Sequence, residues 1–251
     1  MGALLIALPL AASAQVAIFS DDFTGSNGDP LGSDWNQGNA SNVEIQNNAA
    51  DPQNGNIHVF GVDPSVAGIL DPNDFSISVD FTVQGPAFAG IWFQGRSDTA
   101  SNNQVDNSGY AVRFRPDNGK FQTVNVTGQQ SASLGGWDSA TRDQTLNTNL
   151  YNPNTDTFRL TVSSSANADD IDVLFENIST STTLATFTGS RGNRNTNADA
   201  GTVFGLYATS GTSSITFDKY SVVPEPTTLG LLLGGGGLLL VARHRRAKAQ
   251  K

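Results

Sequence analysis

An all-β chain, folded as an antiparallel two-sheet sandwich, is what three features of this sequence predict. Apolar and polar residues alternate with period two, clusters of turn-formers separate the alternating runs, and no ten-residue window in the middle of the chain keeps a 3.6-residue apolar period. Phe75 to Val83 is the clearest run. Phe75, Ile77, Val79, Phe81 and Val83 point one way and Ser76, Ser78, Asp80 and Thr82 the other, the pattern of a half-buried strand.

Taken in order, the strand candidates begin with Val16 to Phe23, Asn42 to Gln46 and Ile57 to Val62. Phe75 to Val83 follows the turn Asp71-Pro72-Asn73-Asp74, and Gly90 to Gln94 comes next. Tyr110, Val112 and Phe114 alternate ahead of the turn Pro116-Asp117-Asn118-Gly119, after which Phe121 to Val126 reads as a strand. Past Asn152-Pro153-Asn154, Phe158/Leu160/Val162 and Ile171/Val173/Phe175 alternate in the same way. Leu184 to Thr188, Thr202 to Ala208 and Ile215 to Val222 close the series. Short strands with one-sided alternation pack best as two layers. No fixed-period repeat is present, which disfavours a solenoid or propeller.

Both extremities differ from this middle. Met1 to Ala14 (MGALLIALPLAASA) has the apolar stretch and the small-x-small Ala12-Ser13-Ala14 of a secretory signal peptide, although no Lys or Arg precedes the apolar residues. At the other end, Pro224-Glu225-Pro226 precedes an apolar, Gly-rich run from Leu229 to Ala242. A basic end follows, with Arg243, Arg245, Arg246, Lys248 and Lys251. The prolines cannot donate backbone hydrogen bonds, so this element continues neither helix nor sheet. The apolar run suits hydrocarbon, and the basic end suits the cytoplasmic side of a membrane. Its leucines and Val241 favour insertion by on the order of 4 kcal/mol. The four glycines Gly234 to Gly237 oppose helix formation. Such an anchor is marginal.

Pro-Glu-Pro, apolar helix and Arg cluster in that order resemble the PEP-CTERM sorting signal of Gram-negative, exopolysaccharide-producing bacteria. The resemblance implies a partner, a membrane protease-transferase of the exosortase type, that removes the helix near Pro-Glu-Pro. Pro224, Glu225, Pro226, Arg243, Arg245 and Arg246 are then the sorting residues, and the catalytic machinery lies on the partner. A permanent, uncleaved anchor is the competing reading. The chain thus divides into a signal peptide (1–14), a β-sandwich domain (15–222) and a sorting tail (223–251). Within the tail, 227–242 is the transmembrane helix and 243–251 the basic cytoplasmic end. The itinerary is export across the inner membrane by the secretion machinery, transient anchoring by the helix, and a final site in the cell envelope or outside the cell.

A second resemblance concerns the sandwich. Phe19-Ser-Asp-Asp-Phe23 with Leu31 and Trp35 is similar to the opening strand of concanavalin A-like or laminin G-like jelly rolls. Gly205-Leu-Tyr, Ser214-Ile-Thr-Phe-Asp218 and Tyr220-Ser-Val222 are similar to their closing strands. This implies a jelly-roll sandwich whose first and last strands are neighbours. Relatives of that fold bind glycans, cleave them or serve as surface modules, so function must be argued from side chains.

Composition narrows the choice. Five of the fourteen Lys and Arg lie in the basic end, leaving nine against 23 Asp and Glu ahead of it, a net charge of −14. Such acidity argues against nucleic acid or anionic lipid as a partner and tolerates cations and neutral glycans. Without cysteine there are no disulfides, thiolate metal sites or Cys nucleophiles. Stability must come from burial, and all fourteen Phe belong to the sandwich.

Chemistry is sparse. Glycosidases need two carboxyls flanking the scissile bond, yet Glu44 and Glu176 are the only glutamates before the tail, and neither belongs to a Glu-x-Asp-x-x-Glu strand. Asp170, Asp172 and Glu176 share a strand face opposite Ile171, Val173 and Phe175, as a solvated outer face does. His58, alternating with Ile57 and Val59, lacks a Ser/Asp constellation. Asp21, Asp22 and Asp218 form one candidate calcium site and Asn152, Asn154 and Asp156 another; turn caps and edge charges explain both sets equally. Trp137 and Asp138, in a Gly-containing loop, read either as a sugar-gripping pair or as a buried plug. Trp35 and Trp92 are assigned to packing. The combined expectation is an exported, non-catalytic cell-surface or extracellular-matrix protein with exopolysaccharide as its ligand class. A diverged glycan hydrolase or lyase on the jelly roll is the alternative.

Overall fold

The computed structural model of the chain describes residues 17, 19–36, 43–52, 57–62, 75–95, 109–127, 131–133, 143–164, 170–190, 203–209 and 214–223. The signal peptide, Trp137, Asp138 and the sorting tail beyond Val223 therefore lie outside the described residues, the 227–242 helix among them. No helix among the described residues is long and apolar enough to cross a membrane.

Among the described residues, sixteen strands run in chain order: β1 (Phe19–Asp21), β2 (Trp35–Asn36), β3 (Val43–Gln46), β4 (Ala49–Pro52), β5 (Ile57–Val62), β6 (Ser76–Val83), β7 (Phe88–Gly95), β8 (Gly109–Arg115), β9 (Lys120–Thr127), β10 (Ser131–Ser133), β11 (Asp143–Thr145), β12 (Phe158–Ser164), β13 (Asp170–Asn177), β14 (Thr182–Ser190), β15 (Val203–Thr209) and β16 (Ile215–Val223). One sheet has the order β14-β13-β12-β6-β16-β4-β3, with β1 also pairing with β16; the second has the order β10-β9-β8-β7-β15-β5-β2, with β11 also on β9. The pairings are antiparallel. The chain is thus the all-β antiparallel two-sheet sandwich that the alternation predicts, arranged as the jelly-roll resemblance implies. Phe19 pairs with Val222, so the first strand lies beside the last and the sorting tail departs next to the start of the domain.

Alternation explains which side chains are inside. On β6, Ile77, Val79, Phe81 and Val83 are fully buried; on β12, Phe158, Leu160 and Val162; on β7, Ala89, Ile91 and Phe93; on β8, Val112 and Phe114. All belong to one cluster between the sheets. Each fully buried Phe contributes roughly 1.5–3 kcal/mol.

Turn chemistry fixes the registers. Asn47 and Asn48 both have left-handed φ, 54° and 59°. They form a two-residue turn of the kind that matches strand twist, joining Gln46 to its partner Ala49. Strand β4 was not expected, because Ala-Ala-Asp-Pro lacks β-branched residues; the Asn-Asn pair was the signal for it. Gly119, at φ 68°, closes the β8–β9 connection, where a Cβ would meet the Leu146 carbonyl oxygen at 2.6 Å. The short strands β2, β10 and β11 likewise went unforeseen, having two or three residues each.

At the corner where β1 meets β16, Phe19, Phe23, Trp35 and Tyr220 pack ring against ring, with centroids 5.2–6.0 Å apart. Asp21 anchors this corner. Its carboxylate accepts from Trp35 Nε1 at 2.6 Å and from the Phe23 backbone N–H at 2.7 Å, which stabilises Phe23 at a left-handed φ of 52°. Trp35→Phe removes the donor and leaves the half-buried Asp21 with one partner fewer. Urea unfolding should show a loss of roughly 1–3 kcal/mol, and an unchanged midpoint would refute the anchoring role of Asp21.

Candidate functional site

The three proposed calcium carboxylates do not come together. Asp21 is engaged by Trp35 and Phe23, Asp22 accepts from Thr24 Oγ1 at 3.1 Å, and Asp218 lies where β16 shifts register against β6. Among the described residues no three His, Asp or Glu side chains are arranged to hold a metal ion. The Asn152–Asp156 loop is a closed turn: Asn152 Oδ1 accepts from the Asn154 N–H, and Asp156 Oδ2 accepts from the Asn152 N–H and from Asn177 Nδ2. Asp172 is exposed on the outer face of β13 and accepts from Thr188 Oγ1 at 2.6 Å. His58 lies on β5 opposite Ala208 in the backbone register.

The acidic charge of the body is not evenly spread. The strands of the first sheet carry Asp21, Glu44, Asp51, Asp80, Asp170, Asp172, Glu176 and Asp218 against Arg159 and Lys219. Those of the second carry Arg113, Arg115 and Lys120 against Asp143. On the first sheet Arg159 grips Asp80 through two hydrogen bonds of 2.6 Å. Burial raises the Asp218 carboxyl pKa, and the Asp80 charge adds to that. Burial likewise raises that of Asp51, and Glu44, its cross-strand partner, adds to it.

The outer face of the second sheet has a different character. Cross-strand register places Val59, Tyr207, Gly90, Arg113, Gln122 and Asp143 in one row over six strands. A continuous polar chain runs along it. Arg113 Nη1 donates to the Tyr207 hydroxyl at 2.6 Å. Its Nε and Nη2 donate to Gln122 Oε1 at 3.1 and 2.8 Å, and Gln122 Nε2 donates to Asp143 at 3.0 Å. The guanidinium lies 4.0 Å from the centroid of the Phe88 ring, a cation–π contact. Gly90 sits in the row between Tyr207 and Arg113. A Cβ there would lie 2.0 Å from the Val112 carbonyl oxygen and 2.8 Å from Arg113 Cα, so only glycine lets β7 and β8 approach closely enough beneath this network. Burial raises the Tyr207 pKa, with Arg113 opposing it.

Next to this row stand Gly61, Gly205, Trp92, Ala111 and Val124. Trp92 is fully buried, yet it lies on the sheet's outer side, opposite Ile91 and Phe93, and is not part of the cluster between the sheets. Its flanking glycine and alanine leave room for the indole. Its Nε1 is buried without a hydrogen-bond partner, which is costly unless an acceptor is supplied. Trp92 is thus a packing residue, but it packs outside the inter-sheet layer. The signal was in Phe88-Ala-Gly-Ile-Trp-Phe93, a run apolar on both faces, which argues that both faces are covered or occupied.

Residues 222–246 match the PEP-CTERM protein-sorting motif. No curated protein sequence matches the chain. Among solved structures, the Bacteroides ovatus xyloglucan PUL GH43B is similar at 16% identity with a TM-score of 0.50, over 88% of this chain and 42% of that one. Arcelin-5, a lectin-like defense protein from Phaseolus vulgaris, is similar at 11% identity with a TM-score of 0.49, over 81% and 96%. Lectin II from Ulex europaeus is similar at 11% identity with a TM-score of 0.48, over 83% and 98%. At these identities the likeness concerns the fold alone, a two-sheet β-sandwich. The chain is thus an exported jelly-roll protein carrying a PEP-CTERM sorting motif.

Two substitutions probe this geometry. Gly90→Ala should lower the unfolding midpoint, by roughly 1–3 kcal/mol of stability, whereas Gly32→Ala, with nothing within 4 Å of its Cβ, should leave it unchanged; equal effects would contradict the close β7–β8 approach. For Asp218, a folded pKa above the unfolded value means that ionisation opposes folding, so stability falls as pH rises through the folded pKa. Asp218→Asn should therefore stabilise the protein at neutral pH, and the gain should shrink as pH drops towards about 4. Urea titrations at pH 7 and pH 4 check this, and destabilisation at pH 7 would contradict it.

Proposed function

We propose that this is a non-catalytic module of the cell envelope or extracellular matrix that binds exopolysaccharide through the outer face of its second sheet. The observation that carries the proposal is the make-up of that face. Phe88 and Arg113 are partly exposed on it, an apolar ring beside hydrogen-bond donors, the usual lining of sites that hold polar ligands with apolar faces. The strands β5, β15, β7, β8 and β9 contain no Asp or Glu, and β11 at the end of the row adds the single carboxyl of Asp143. Glycoside hydrolysis needs a carboxyl pair about 5–10 Å apart across the bond, and these strands supply none. Binding without cleavage is the chemistry this surface suits.

Trp137 and Asp138 belong to the same proposal. In the sequence they fall between β10 and β11, two strands that both pair with β9. The sorting tail completes the reading: Pro224, Glu225 and Pro226 are taken by an exosortase-type enzyme, the apolar segment anchors the chain transiently, and the domain is released to its final site. Mass spectrometry of the mature protein should find the segment from Leu229 to Lys251 removed. In parallel, the full chain incubated with the exopolysaccharide of its own cells should retain it without releasing reducing ends. Reducing ends that accumulate with time would replace this reading with that of a hydrolase.

A further inference from the structure

We infer that the polysaccharide recognised on the second sheet carries carboxylate groups, and that Arg113 receives them. This deepens the proposed function and rests on it. Two observations carry it: the unequal charge of the two sheets and the state of the Arg113 guanidinium.

The body repels anions over most of its surface, yet three of its cations, Arg113, Arg115 and Lys120, occupy adjacent rows on β8 and β9. They are not equivalent. Arg115 is spent on Asp117, through contacts of 2.6 and 2.8 Å, and this pairing lowers the Asp117 pKa. Arg113 meets neutral partners, a phenol hydroxyl, an amide oxygen and the Phe88 ring. Its positive charge is therefore oriented but not neutralised by contact.

A guanidinium has five N–H groups. Gln122 takes two, on Nε and Nη2, and Tyr207 takes one on Nη1, leaving one N–H on each terminal nitrogen. Tyr207 itself is fully buried, so its hydroxyl orients the guanidinium from beneath. The unspent capacity around Arg113 thus consists of donors on a fixed, partly exposed cation. A carboxylate, which only accepts, complements this set and adds opposite charge. A neutral sugar hydroxyl satisfies the donors without answering the charge. The Phe88 ring, partly exposed on the same face, leaves an apolar surface beside the charge for the carbon skeleton of a sugar. At physiological salt the Debye length is about 8 Å, so the acidic first sheet on the far side of the sandwich does little to oppose an anion here.

The test is calorimetric titration of the full chain, in mild detergent, with oligogalacturonate and with the same oligosaccharide after reduction of its carboxyls to neutral hydroxymethyl groups. The expected result is at least tenfold tighter binding of oligogalacturonate, weakened by added salt. Arg113→Gln should abolish the difference between the two sugars while a far-UV spectrum confirms folding. Should that variant not fold, Tyr207→Phe serves instead, and it should weaken oligogalacturonate binding several-fold. Equal binding of both sugars to the unaltered chain would overturn the carboxylate inference and leave polysaccharide binding intact. A preference for oligogalacturonate that survives these substitutions would overturn the role of Arg113. If neither oligogalacturonate, its reduced form nor the exopolysaccharide of the producing cells is bound, the proposed function falls, and this inference with it.

Discussion

Phe175 occupies the point where Phe81, Phe114, Phe121 and Phe158 converge, with ring centroids 4.7–6.3 Å away. Phe81, Phe158 and Phe175 belong to the first sheet, and Phe114 and Phe121 to the second. This knot of rings is what joins the two layers. The chain has no cysteine with which to staple them, and among the described residues the only helix is the three-residue 3₁₀ turn Thr148–Leu150. Adhesion between the sheets rests on buried apolar area, and most polar side chains of the strands lie on the two outer faces, with Asn177 and Ser164 as inward exceptions.

Those outer faces are free to diverge, because strand alternation decouples them from the core. On the first sheet they have become acidic and hydroxyl-rich, with carboxyls that repel one another at Asp80/Asp218 and Glu44/Asp51. On the second they have become aromatic, amide-bearing and cationic. Gly90 marks the divergence at the level of the backbone, since an ordinary side chain there would press on β8 beneath Arg113. A surface kept solely for solubility does not need a glycine under a hydrogen-bonded Arg–Tyr–Gln chain, nor a tryptophan laid between Gly205 and Ala111.

Alternation made the fold readable in the sequence, because Phe75 to Val83 and its counterparts show period two without any knowledge of partners. Strand β4 escaped notice because its residues are poor strand formers held in place by the Asn47-Asn48 turn. The site was far less readable. Tyr207, Arg113 and Gln122 come from three strands up to 94 residues apart, and only the register aligns them over Gly90. Asp21 looked like a metal ligand because short-range carboxylate spacing is common to ligands and caps; which one it is depends on Trp35, fourteen residues further on. Trp92 reads as a packing residue because its sequence neighbours are apolar, and it is buried; that strand parity places it outside the inter-sheet layer shows only in the fold. The sorting motif was legible because its order of Pro-Glu-Pro, apolar run and basic end depends on no tertiary contact at all.

The pairing of β1 with β16 brings the start of the domain beside the departure of the tail, and the face proposed for binding belongs to the other sheet. The proposed anchoring and recognition would draw on separate layers of one sandwich. Hydroxyl-radical footprinting of the full chain with and without its polysaccharide tests this division most directly. Protection confined to peptides containing Phe88–Gly95, Gly109–Arg115 and Val203–Thr209 is the predicted result. Protection centred on Asp170–Asn177 and Thr182–Ser190 of the first sheet would contradict it.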